Sequence, residues 1–234
     1  MNLKHLRLIT SVVSCVLLFA CNGTSPISVA TNSSVSTASS NSSSSLTISY
    51  GTFTDSRDGQ AYKTIAAGTQ EWMAQNMNYA TSSGSYCYND SIANCKTFGR
   101  LYIWDSANSV CPVGWHLPSD SQWIALEEYI GMDSISASLG GYRGKNQGTM
   151  LKLNSKLWFD NTDSGTNNIG FSGLPSGEYE YQQYIEENCY ALFWTSSSTD
   201  SSNAWVRQLI CADSRILRID DPKSWGLSVR CIKN

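Results

Sequence analysis

Cys111-Pro112-Val113-Gly114-Trp115-His116-Leu117-Pro118-Ser119-Asp120-Ser121-Gln122-Trp123 carries the clearest local signals in the chain. Ser119 and Gln122 make a capping box. The Ser119 side chain is placed to accept from the Gln122 amide, and the Gln122 side chain to accept from the Ser119 amide. A helix therefore starts here. Trp123, Leu126 and Ile130 follow at i, i+3 and i+7 on one face, with Glu127 and Glu128 read as pointing away into solvent and Gly131 as the C-cap. Upstream, Cys111-Pro112 ends a second helix expected from Trp104 toward Val110, because proline disfavours helical geometry in the residue before it.

Around these two helices the pattern is of short strands. Asp58-Gly59 is a turn signal between Thr52-Phe53-Thr54 and Ala61-Tyr62-Lys63-Thr64-Ile65, and Gly68-Thr69 makes a break before Trp72. The second half reads as strands at 189–195, 204–210, 215–219 and 227–232. Two helices among many short, mostly antiparallel strands define an α+β class. All eight tryptophans lie between Trp72 and Trp225, and residues 50–234 are expected to form one domain with its own core.

The N-terminus has a different character. Lys4 and Arg7 precede an apolar run over 8–19, shorter than the roughly 20 residues that span a bilayer. Ala20-Cys21 then places a small residue before a cysteine. This is the pattern of a bacterial lipoprotein signal: residues 1–20 are expected to be removed and Cys21 to carry the acyl chains, palmitate among them, that hold the protein on a membrane. Asn22, where Asp would favour inner-membrane retention, points to the outer membrane. Residues 22–49 carry no charge and are mainly Ser, Thr and Asn. A segment so poor in apolar surface is expected to be a flexible tether, with an end-to-end distance of about 30 Å. Without residues 1–20 the chain has 14 basic and 19 acidic side chains, a net charge of −5, and no basic stripe. That balance argues against nucleic acid as a partner.

Six cysteines remain beyond Cys21, and in an oxidising compartment they are expected to form three disulfides. Fifteen connectivities are open to six cysteines. Local geometry ranks them. Cys87 and Cys95 flank a turn-rich loop, 88–94. Cys189 and Cys211 lie symmetrically about Asp200 in an apparent hairpin loop, so they can face each other across a ladder. Cys111 and Cys231 are left as the long-range pair. A metal site ranks below these staples, since there is no C-x-x-C and His116 is the only histidine after the signal. No cofactor is expected.

Several ordered segments resemble the Fibrobacter succinogenes major paralogous domain family. They are Asp58-Gly59-Gln60-Ala61-Tyr62-Lys63-Thr64, Gln70-Glu71-Trp72-Met73-Ala74-Gln75-Asn76-Met77-Asn78-Tyr79, Gly99-Arg100-Leu101-Tyr102-Ile103-Trp104, Cys111 to Ser119, Gly170-Phe171-Ser172-Gly173-Leu174-Pro175 and Ser228-Val229-Arg230-Cys231. Gly173, where the family usually has Ala, and Leu227, where it has Phe, depart from the pattern. Trp115-His116-Leu117-Pro118-Ser119 with Trp123 is similar to a segment of formylglycine-generating-enzyme-like domains, so the resemblance implies a C-type-lectin-like fold. It implies no activity, and that enzyme's chemistry is not transferred because it needs reactive cysteines.

No catalytic residue is assigned. His116, between Trp115 and Leu117-Pro118, reads as structural before it reads as a base, and Glu127-Glu128 and Glu186-Glu187 read as solvated faces. The segment 160–168 is rich in oxygen ligands but fails the EF-hand spacing, because Phe171 holds the twelfth position. Tyr179, Tyr181 and Tyr184, set among amides and carboxylates, and Trp205 are the ligand-binding candidates, since such rings suit sugar and protein contacts. The alternative is that these rings cover the edge of the core. The expectation is a lipid-anchored binding or adhesion module contacting polysaccharide or an envelope protein. A purely structural envelope component and an extracellular hydrolase or oxidoreductase are the alternatives.

Overall fold

The computed structural model describes residues 48–159 and 165–234. The expected signal, Cys21 and all of the tether before residue 48 lie outside the described residues, as do positions 160–164 of the Asx-rich loop. In chain order the strands of the first half are β1 (Gly51–Thr54), β2 (Ala61–Ala67), β3 (Gln70–Met73), β4 (Ser85–Tyr86), β5 (Leu101–Tyr102), β6 (Trp115–His116) and β7 (Gly141–Arg143). The second half supplies β8 (Ser176–Glu180), β9 (Gln183–Glu187), β10 (Tyr190–Ser198), β11 (Asn203–Ile210), β12 (Asp213–Pro222), β13 (Leu227–Ser228) and β14 (Ile232–Lys233). The α-helices are α1 (Ile92–Phe98), α2 (Trp104–Val110), α3 (Asp120–Tyr129), α4 (Ser134–Ser138) and α5 (Gln147–Leu151).

The class is α+β, with five α-helices among the described residues rather than the two expected. Helices α2 and α3 stand where the sequence puts them. The others are single turns or little more. Helix α1 begins within the segment between Cys87 and Cys95 that reads as loop and runs past Cys95 to Phe98, and α4 and α5 carry Ser and Gly, which hide a helical period. None of the helices is long and apolar enough to cross a membrane.

Two sheets carry the strands. One has the order β1-β2-β3-β14-β6, antiparallel throughout. The other runs β4-β5-β13-β10-β11-β12-β7, with the β8–β9 hairpin attached through β8 to β10. Its parallel contacts are single pairs of β10 with β13 and with β8. Strand β10 is buried on both faces, and its alternation separates two cores. Ala191 and Phe193 enter one core with Trp72, Trp123 and Phe171, while Leu192 and Trp194 enter the other with Tyr62, Tyr102 and Trp225. The expected strand over 227–232 is not continuous. Leu227–Ser228 belongs to the larger sheet, Ile232–Lys233 to the smaller, and Val229-Arg230-Cys231 crosses between them.

The three disulfides join Cys87 to Cys95, Cys111 to Cys231 and Cys189 to Cys211. Tyr190 pairs with Ile210 at the open end of the β10–β11 ladder, which brings Cys189 opposite Cys211 one step further on. Cys111–Cys231 spans 120 residues and so removes the most freedom from the unfolded chain, about 5 kcal/mol in the chain-entropy model against about 3 for each of the others.

Helix α3 keeps its capping box and ends in a Schellman motif. Gly131, at φ 91°, donates to the Glu128 carbonyl and Met132 to that of Glu127. One expectation fails here. Glu128 is exposed, but Glu127 is fully buried. Its carboxylate takes Nη2 of Arg143 at 2.8 Å, a shorter contact from Arg143 Nη1, and Nε of Arg207 at 2.7 Å. Glu127 stands four residues after Trp123, hence on the same helix face, and the two arginines make its burial tolerable. At the helix start Asp120 meets Arg218 and Arg207, each at 2.8 Å. Burial raises the pKa of Asp120, but its hydrogen bonds and ion pairs to Arg218 and Arg207 together outweigh that and hold it below the usual carboxylate value. Carboxylates thus clamp α3 onto β7, β11 and β12.

Removing one partner of a buried ion pair leaves the others uncompensated, at a cost of about 3–5 kcal/mol. Glu127→Gln should therefore lose about that much in urea denaturation, whereas Glu128→Gln should change stability by less than about 0.5 kcal/mol. Equal effects would refute the buried clamp.

Candidate functional site

The tyrosine-rich segment folds into the β8–β9 hairpin. Tyr179 pairs with Tyr184 and Glu180 with Gln183, so Tyr181-Gln182 forms a two-residue loop. Both loop residues are left-handed, at φ 47° and 64°. That is the type I′ geometry, whose twist suits a hairpin and whose positions are usually filled by Asn and Gly. A tyrosine there is held against the preference of its own backbone.

Beneath the turn lies a column of rings. Tyr179 and Tyr184 meet at a 4.9 Å centroid distance, Tyr86 stacks on Tyr179 at 4.2 Å, and Tyr88 leans on Tyr184 at 5.3 Å. The Tyr184 hydroxyl donates to Asp90 Oδ1 at 2.5 Å. Desolvation raises the phenol's pKa, and the hydrogen bond to Asp90 raises it further. Gly226 fixes the other side. It exchanges two backbone hydrogen bonds with Tyr179, of 2.9 and 2.7 Å. A Cβ on Gly226 would stand 3.1 Å from Tyr179 Cβ and 3.4 Å from the Tyr86 ring, so a bare backbone is what permits the approach. The preceding Trp225 is buried and meets Tyr181 edge to face at 5.9 Å. Tyr181 itself is 75% exposed.

The structure therefore brings together three of the four candidates. Tyr179 and Tyr184 have their ring faces largely covered by neighbouring tyrosines and act as a rigid base, while Tyr181 is displayed above it. Trp205 lies apart from this group. Its ring sits under the Arg218 guanidinium at 3.7 Å, beside the Asp120 clamp. Tyr86, Tyr88, Asp90 and Trp225 were missed in the sequence, although Tyr86-Cys87-Tyr88 brackets a bridge cysteine and Trp225-Gly226 has the form of an aromatic beside a close-approach glycine.

His116 supports the helix cap. The Gln122 side-chain oxygen accepts from the Ser119 amide at 2.8 Å, and the Gln122 Nε2 lies 2.9 Å from His116 Nε2. His116 Nδ1 is 2.6 Å from Asn234 Oδ1, so the partners assign the proton to Nδ1. Glu186 and Glu187 are half-buried rather than freely solvated. Among the described residues no three His, Cys, Asp or Glu side chains converge on a point that could hold a metal ion.

With this geometry in place, the sequence comparison gives the class. The chain belongs to the Fibrobacter succinogenes major domain family, whose model matches residues 65–233. No curated protein and no solved structure matches it.

A residue forced to positive φ is relieved by glycine. Gln182→Gly should raise stability by about 1 kcal/mol. Tyr181→Ala, at an exposed tip, should shift thermal unfolding by no more than a few degrees. A clear loss of stability in Gln182→Gly would contradict the type I′ turn.

Proposed function

We propose that this protein is a lipid-anchored binding module of the cell envelope. A C-type-lectin-like domain is held off the outer membrane on the 21–49 tether and contacts polysaccharide, or another envelope protein, through the tip of the β8–β9 hairpin. The observation that carries this reading is Tyr181: an exposed aromatic ring, kept in a backbone conformation that favours Asn or Gly, set edge to face on the buried Trp225 at the end of a hairpin whose other tyrosines are half-buried and packed on one another. Strained positions of this kind persist where the surrounding structure over-determines them, and they cluster at binding sites. A preorganised, amphipathic tyrosine costs little entropy on binding, and sugar rings stack on such surfaces.

Support for the lectin-like fold comes from the Trp115-His116-Leu117-Pro118-Ser119 lead into a capped helix, and from the C-terminal strand lying between β3 and β6. Support for the anchor comes from Lys4, Arg7, the short apolar run and Ala20-Cys21. The three disulfides suit an exported domain.

The test has two parts. Cys21→Ser should move the protein from the membrane fraction to the soluble one, and unchanged partitioning would remove the anchor from the account. The wild-type protein should be retained on cell-wall polysaccharide or on isolated envelopes, and Tyr181→Ala should lose at least about tenfold in retention, or about 1.4 kcal/mol, with its unfolding transition intact. Equal retention of the variant would overturn the hairpin tip as the contact. Retention on no polymer or envelope would leave a purely structural component as the better reading.

A further inference from the structure

A cavity of about 340 Å³ opens on a different part of the domain, between the β2–β3 region, helix α1 and the loop around Ser172. Its size falls near the lower end of the ~300–1,000 Å³ range of small-molecule sites. The lining contains three cations, Lys63, Lys96 and Arg230, and no Asp or Glu. This is notable in a chain whose acidic residues outnumber its basic ones.

Arg230 supplies the fixed part of that charge. It is 1% exposed, and its hydrogen bonds go to uncharged oxygens only: Asn76 Oδ1 at 2.5 Å and the carbonyls of Met73, Phe171 and Ser172. Arg57, Arg143, Arg207, Arg215 and Arg218 are each paired with a carboxylate. Arg230, the most buried cation near the cavity, is not. Burial pushes its pKa down to about 9, so it stays charged at neutral pH. A buried cation without a counter-charge projects its field into the nearest open space. Lys63 and Lys96, on the same lining, are exposed and, among the described residues, belong to no ion pair.

The remaining lining includes the amides of Gln75 and Asn78 and the hydroxyl of Thr97, the Asn76 amide being already engaged by Arg230, Phe98 and Ser228. Amides present donor and acceptor side by side, the pattern that sugar hydroxyls satisfy.

We infer that this cavity is a second ligand site, which takes an acidic sugar, a uronic acid residue free or at a chain end, with its carboxylate toward Lys63, Lys96 and the Arg230 charge. The inference does not rest on the hairpin, and either site can fail without the other.

The test is calorimetric titration of the full chain in detergent with trigalacturonate, with cellotriose as the neutral probe and acetate as the anion without hydroxyls. Trigalacturonate should bind at least tenfold more tightly than either. Lys63→Glu with Lys96→Glu should weaken it at least tenfold and leave the unfolding transition in place, since both side chains are exposed. Lys63→Arg with Lys96→Arg should retain binding within about threefold, and Tyr181→Ala should not change it. Absence of trigalacturonate binding, equal binding of cellotriose or of acetate, or indifference to the charge reversal would each overturn the inference.

Discussion

The seven residues from Leu227 to Lys233 hold this domain together. Strand β13 lies between β5 and β10 in the larger sheet, and four residues later β14 lies between β3 and β6 in the smaller one. The crossing itself is bonded throughout. Val229 and Cys231 carbonyls accept from Met77 and Met73, both at 2.9 Å, Cys231 is bridged to Cys111, and Arg230 reaches Asn76, Phe171 and Ser172. Leu227, Val229 and Cys231 enter one core and Ile232 the other. Without this segment β5 has no link to β10 in the larger sheet and β3 none to β6 in the smaller one, and the longest disulfide loop closes on it.

Both candidate ligand surfaces are positioned from the same place. Gly226, immediately before β13, docks the β8–β9 hairpin through Tyr179 and sets Trp225 against Tyr181. Arg230, in the crossing, lies under the acid-free cavity. Sites built on a rigid, doubly anchored segment keep their geometry without help from a ligand, which is what a binding module requires. The clamp of Glu127 and Asp120 on Arg143, Arg207 and Arg218 does the same for helix α3 on the opposite flank.

What could be read from the sequence was what depends on near neighbours. The capping box acts over four residues, so Ser119 and Gln122 announce it. Cys189 and Cys211 were legible as a pair because a hairpin reflects sequence about its tip. Tyr179, Tyr181 and Tyr184 were legible as a group because one hairpin holds them. Glu127 was misread because its charge was given more weight than its spacing from Trp123, and the arginines that make burial possible come 16 and 80 residues later. Alternation over 227–232 cannot tell a strand that stays in one sheet from one that changes sheets. Trp205 failed to join the tyrosines because strand order decides its neighbours. Tyr86 against Tyr179, like Arg230 under the cavity, is a contact between distant stretches of chain that no local pattern encodes.

Native-state hydrogen exchange tests the stitching role of 227–233 most directly. If that segment makes the two sheets one cooperative unit, the slowest amides of β2 and β3 and those of β10 and β11 will exchange through a common opening of one free energy and one denaturant dependence. Two separate sets, in which the β2–β3 amides exchange while β10–β11 stays closed, would show that the sheets open independently and that the C-terminal segment does not join them.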